Sequence, residues 1–152
     1  MILVSACLWG ERSRYDGRHS QALWLREALA GRDVLALCPE QLGGLPTPRP
    51  PARIVGARAG REGDDVLAGR AKLIDAHGRD VSRQFIAGAR AVLARAQAAG
   101  ARRAYLKDRS PSCGHDPLGQ NPQGGPGQGV LTALLLAGGF EVVEVRAAAG
   151  DD

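Results

Sequence analysis

Apolar and polar positions follow one another along the chain in blocks whose lengths suit strands and helices in turn. Residues 1–6 (MILVSA) form a short apolar run opening directly on Cys7, as a buried strand of a parallel sheet would. In residues 19–30, Ala22, Leu23, Trp24, Leu25 and Leu29 lie on a helical stripe, with Gly31 beyond it as a stop signal. Residues 33–37 (DVLAL) read as a second strand, and this one also ends on a cysteine, Cys38. The next segment, 39–52, carries five prolines and two glycines, a composition that argues against both helix and ladder strand and predicts a rigid loop belonging to a site.

Short apolar stretches between Gly-rich turns over 53–79 predict a small β-hairpin excursion. Asp80 then reads as a helix cap, followed by Val81, Phe85, Ala89, Val92, Leu93 and Ala96 at helical spacing up to Gly100. A third strand, 104–107 (AYLK), leads into the loop Ser110-Pro111-Ser112-Cys113-Gly114. Residues 114–129 hold six glycines and three prolines and predict a second long irregular loop. A helix over 128–138 and a closing strand over 140–145 complete the pattern. Strands alternating with helices imply one α/β domain over 1–152, an open parallel sheet with flanking helices and the small hairpin. No internal repeat is visible.

Composition narrows the class. The chain has 152 residues, 44% hydrophobic and 24% charged, which suits a globular protein able to bury a core without staples. Its longest apolar runs fall well short of the ~20 residues that span a bilayer, so no membrane partner is expected. Val4-Ser5-Ala6-Cys7 looks like a lipoprotein cleavage box, but the residues before the cysteine include no basic one and leave no room for a signal peptide. The expected location is cytoplasmic, where three cysteines are not a disulfide framework. The formal charge is +4 and the cations are almost all arginines, scattered and not gathered into a nucleic-acid patch.

Each of the three cysteines follows closely on a predicted strand, and in an open parallel sheet ligands bind beyond the carboxyl ends of the strands. They are separated by 31 and 75 residues, so a site they share must be assembled by the fold. Isolated buried thiols are the plain alternative. A closed structural zinc site would need close-spaced pairs, which are absent, although three thiolates and a water could still hold zinc. Thiolates also bind iron-sulfur clusters, and three of them on a four-iron cube leave one iron open. His19, His77 and His115 show no metal-site spacing; only His115, near Cys113, is close enough to matter.

The surroundings of the cysteines, SACLWGERSRYDG (5–17), CPEQLGGLPTPRPPA (38–52) and SPSCG (110–114), resemble the thiouracil desulfidase family. The likeness extends to GRDVSRQFIAGA (78–89), AYLKDRSPSCG (104–114) and GQGVLTALLLAGGFEV (127–142), nearly the whole chain in order. It implies a four-iron four-sulfur cluster on Cys7, Cys38 and Cys113 with one open iron, and non-redox removal of sulfur from thiolated uracil, yielding uracil and sulfide. The segment HDPLGQNPQGGP (115–126) departs from the family pattern, which puts substrate contacts from that loop in doubt.

Such a reaction needs water activated by a base, for which Glu40, two residues from Cys38, is the first candidate. Ser110 and Ser112 flank the third cysteine and could relay protons or hold the heterocycle. Arg14, Tyr15 and Asp16 are candidates for the pocket wall, with an Arg14–Asp16 ion pair fixing the loop as the alternative; Thr47 and Arg49 are weaker ones. The expected partner is a small thiolated pyrimidine. The alternatives are a 4-thiouridine nucleotide, thiolated tRNA, or a metal-stabilised module that binds RNA without catalysis.

Overall fold

The computed structural model describes residues 1–146. Four parallel strands form its sheet: β1 (Ile2–Ser5), β2 (Val34–Leu37), β5 (Arg103–Lys107) and β6 (Glu141–Val145), in the order β2-β1-β5-β6. All four strands run in one direction, so their carboxyl ends share one edge of the sheet. Cys7, Cys38 and Cys113 follow β1, β2 and β5, three adjacent strands, and therefore meet at that edge.

Successive side chains of a strand point to opposite faces, and the central strand is buried on both. Leu3, Ala104 and Leu106 enter a core completed by α4 (Ser82–Ala98) and α5 (Val130–Ala137), while Ile2 and Val4 pack with Leu8, Leu25, Leu29 and Val145 on the other face. The α4 stripe Phe85, Ala89, Val92 and Ala96 is buried as its spacing predicts. Asp80 accepts hydrogen bonds from the Ser82 amide and hydroxyl (3.0 and 2.6 Å) at the start of this helix.

Three elements differ from the sequence-based expectation. The first helix, α1, is shorter, Leu23–Ala28, and Leu23 and Trp24 are exposed. The amides of Ser20 and Ala22 instead donate to the carbonyls of Cys7 and Leu8 (2.9 and 3.0 Å), so residues 19–22 brace the first cysteine's turn and do not begin a helix. The Pro-rich segment opens with a one-turn helix, α2 (Pro39–Leu42), because proline at the first helical position lacks only an amide that has no intrahelical partner anyway.

The hairpin is present as antiparallel β3 (Ala52–Val55) and β4 (Lys72–Asp75), with a short helix between its strands, α3 (Glu62–Leu67). That helix shows no apolar period. It is held by buried Asp65, which accepts from Arg58 and Arg70 (2.6 and 3.1 Å).

Two close approaches decide where the site residues stand. Gly43, just after α2, and Gly88 in α4 lie backbone against backbone; a Cβ on either would collide with the main chain of Gln84 or Pro39 respectively. Gly129, at the start of α5, is pressed in the same way against the main chain of Ser112 and Cys113. Glycine is required at these points by contact, whatever the local conformation.

Candidate functional site

The three cysteines line one cavity of about 280 Å³ beyond the carboxyl ends of β1, β2 and β5. Cys113 is buried and the other two are partly open. Each is set by its own local chemistry. Cys7 sits in a single 3-10 turn (Ala6–Trp9) that continues β1 and ends at Gly10 in a left-handed conformation. Cys38 lies between β2 and α2, with the amides of Glu40 and Gln41 directed at its sulfur. Cys113 lies in a loop closed by Ser110, whose hydroxyl oxygen accepts the amides of Ser112 and Cys113 (3.1 and 3.0 Å).

The environment opposes bare thiolates. Burial pushes the Cys7 thiol up to about 12, against the opposing pull of the nearby Lys107 ammonium, and the Cys38 sulfur adds to the rise. Burial likewise pushes Cys38 and Cys113 up; Arg49 draws Cys38 back, and the Ser5 hydroxyl, donating to the Cys113 sulfur, draws that thiol back. Cys38 raises both other thiols and Cys7 raises Cys113, so the three need compensating cations before they can all ionise. Among the described residues, no three His, Cys, Asp or Glu side chains gather closely enough to hold one metal ion.

Glu40 lines the cavity from α2 and has both carboxylate oxygens engaged. Oε1 accepts from Arg49 Nε at 2.9 Å, and Oε2 accepts from the Ser112 hydroxyl at 3.1 Å. Arg49 is itself buried, donating also to the Ser13 carbonyl (2.8 Å) and the Thr47 hydroxyl (3.0 Å). One guanidinium thus ties the β1 loop, α2 and the Pro-rich segment together around Cys38, whose thiol is directed at the same Ser13 carbonyl (3.7 Å).

The remaining candidates divide by position. Arg14, Tyr15, Arg49 and Ser110 line the cavity. Asp16 and Thr47 stand behind its wall, with their side chains turned to arginines: Asp16 binds Arg14 at 2.8 Å and Thr47 binds Arg49. Ser112 is buried and reaches the cavity only through Glu40.

Lys107, Asp108 and Arg109 line the cavity as well, and nothing in their spacing marked them beforehand; their place immediately after a strand that leads to a cysteine was the available signal. No residue of 115–126 lines it. Asn121 of that loop instead donates to buried Asp108 (2.8 Å). His19 accepts the Gln21 amide, and the His77 amide is taken by Asp75. The His115 amide is taken by Glu144, in a separate groove.

Known proteins share this sequence pattern and fold. A protein of Bacillus subtilis (strain 168), YbbK, described as uncharacterized, is 40% identical over 146 residues, covering 94% of each chain. The solved structure of a [4Fe-4S]-dependent thiouracil desulfidase, TudS, superposes with a TM-score of 0.71 at 39% identity, over 94% of this chain and 89% of its own. Residues 2–146 match the family model described as 2-thiouracil desulfurase. With one family model spanning the sheet, all three cysteines and the loops that carry Glu40 and Ser110, the chain belongs to the 2-thiouracil desulfurase family.

Proposed function

We propose that this protein removes the sulfur of a free thiolated uracil, 2-thiouracil or 4-thiouracil, releasing uracil and sulfide with no net redox change. In this reading Cys7, Cys38 and Cys113 hold a four-iron four-sulfur cluster and Glu40 activates the attacking water. The observation that carries the proposal is the meeting of three free cysteines with a partly buried, oriented carboxylate at one cavity.

The donor set fits such a group. Thiolates are the usual protein ligands of iron-sulfur clusters, and irons supply the positive charge that three buried sulfurs lack. The chemistry supplied by the bound group is Lewis acidity toward sulfur, from the iron that three cysteines leave without a protein ligand.

The rest falls to the chain's own side chains. Glu40 takes a proton from water, whose oxygen bonds to the thiocarbonyl carbon; the carbon-sulfur bond breaks, and sulfur leaves with two protons as hydrogen sulfide. Arg49 and Ser112 hold the carboxylate in place, one on each oxygen, and each oxygen keeps a lone pair for the water. Ser110 has its oxygen occupied by two amides, so its own proton is available to a carbonyl or ring nitrogen of the heterocycle.

Tyr15, 43% exposed at the cavity wall, offers a ring face to a pyrimidine, and Arg14 offers an edge contact. Asp16 and Thr47 act at one remove, by fixing Arg14 and Arg49. A cavity of about 280 Å³ is of small-molecule size, which favours a free base over a folded RNA.

The test is anaerobic reconstitution followed by assay of iron and acid-labile sulfide, then loss of thiocarbonyl absorbance on adding 2-thiouracil or 4-thiouracil. About four irons per chain with sulfide released in step with uracil is the expected result. A protein that takes up no iron, or that takes up zinc and leaves both substrates intact, overturns the reading.

A further inference from the structure

Lys107 is the last residue of β5 and lines the cavity with its side chain 12% exposed. Its amide donates to the Ser5 hydroxyl oxygen (3.0 Å), which ties it to the strand that delivers Cys7. Its ammonium does not roam, because Nζ donates to the Asp108 carbonyl (3.1 Å) and to Asp108 Oδ1 (2.7 Å).

Asp108 is buried to 1% exposure and is shared: Arg109 Nε donates to its Oδ2 at 3.2 Å and Asn121 Nδ2 to the same oxygen at 2.8 Å. One carboxylate facing two cations leaves a surplus of positive charge at the cavity wall. The charge is also fixed in direction, since the Asn121 amide and the short bond to Nζ hold the carboxylate between them.

Resting on the cluster reading above, we propose that Lys107 is the fixed counter-charge of the cysteine cavity, and that Asp108, steadied by Asn121 of the 115–126 loop, is the positioning residue that holds it beside Cys7. The loop thereby acts on a site it does not touch. A cation held beside thiolate-ligated irons favours the more negative state of the group and opposes loss of iron, as charge and hydrogen bonding around clusters generally do. Lys107 and Cys7 line the same cavity.

The experiment compares anaerobically reconstituted wild-type protein with Lys107→Met, Lys107→Arg, Asp108→Asn and the double variant Lys107→Met/Asp108→Asn. It reads the midpoint potential of the cluster and the rate of iron loss to a chelator. Lys107→Met is expected to lower the midpoint and to lose iron several-fold faster, while Lys107→Arg keeps both near wild type. Asp108→Asn removes a negative charge, so simple summation of charge predicts tighter iron; positioning predicts faster loss, and no further loss when Asp108→Asn is added to Lys107→Met.

Wild-type midpoint and retention in Lys107→Met, or an arginine variant as impaired as the methionine one, would overturn the role of the charge. Slower iron loss in Asp108→Asn, or additive losses in the double variant, would overturn the positioning. Wild-type protein that binds no iron removes the cluster reading and this inference together, whereas four irons with indifferent variants removes this inference alone.

Discussion

Ser112 donates its hydroxyl proton to Glu40 at 3.1 Å across 72 residues of sequence, and so joins the loop of the third cysteine to the helix that follows the second. The bond leaves Glu40 Oε1 to Arg49 and aims the carboxylate at the cavity. Glu40→Gln keeps the size of the side chain and removes the base. The expected result is a fall in kcat of about 10²- to 10⁴-fold, the usual worth of a general base, with iron content unchanged. Ser112→Ala should show a smaller fall, since it loosens the carboxylate without removing it. Steady-state kinetics beside iron assay on each variant checks both.

Each cysteine should be needed separately. Cys7→Ser, Cys38→Ser and Cys113→Ser replace a soft ligand by a weak hard one, and each should reconstitute with markedly less iron and labile sulfide than wild type. Full iron content in any one of the three would show that the corresponding sulfur is not a ligand.

Arg49 carries a structural duty that can be measured without turnover. It is buried, and it satisfies Glu40 and the Ser13 carbonyl at once. Arg49→Met takes from Glu40 its cationic partner, leaving only the Ser112 hydroxyl, and takes a donor from the Ser13 carbonyl; removing one partner of a buried pair costs about 3–5 kcal/mol. Urea unfolding of the metal-free protein should show a lower midpoint with an unchanged slope; an unchanged midpoint refutes the assignment.

Gly88→Ala places a methyl group where α4 meets the backbone of Pro39. Overpacking at such a contact costs about 1–3 kcal/mol, and relief by separation moves α2, which bears Glu40. Reduced thermal stability together with a loss of kcat larger than any change in KM is expected.

Acid stability should report Asp65. The Arg58 side chain, followed by the Arg58 amide, holds this carboxyl well below the usual carboxylate range. A depressed folded pKa contributes stability that is present above the unfolded value of about 3.9 and is lost as pH falls toward the folded one. Thermal midpoints of wild type should therefore drop steeply below about pH 4, and Asp65→Asn should be less stable at neutral pH with a shallower acid limb. Parallel acid limbs in the two proteins would contradict this.

No helix among the described residues is long and apolar enough to cross a membrane, in keeping with the short apolar runs of the sequence. Much of the fold is legible in the same way, because strands and helices here have local causes. The run before Cys7 is apolar since β1 is buried on both faces, and Phe85, Ala89, Val92 and Ala96 recur at helical spacing since one side of α4 meets the core. The alternation of such segments implied parallel strands, and parallel strands carry three cysteines to a single edge.

What escaped the sequence depends on contacts between distant segments. Residues 19–22 looked helical, but the amides of Ser20 and Ala22 are claimed by the Cys7 turn; α3 has no apolar period and is held by an ion pair. Asp16 and Thr47 have the chemistry of pocket residues, yet the nearest arginines turn them away from the cavity.

Cys7, Cys38, Cys113 and Glu40 could be singled out from residue type and from their position beside strand ends, properties a chain carries in its linear order. Which serine meets Glu40, that Arg49 is buried behind it, and that Lys107 and Asp108 line the cavity of the three cysteines were decided only by tertiary structure. The physical reason is that hydrogen bonds and ion pairs require approach within about 3 Å, and the residues that approach here come from segments whose separation in sequence says nothing of their distance in space.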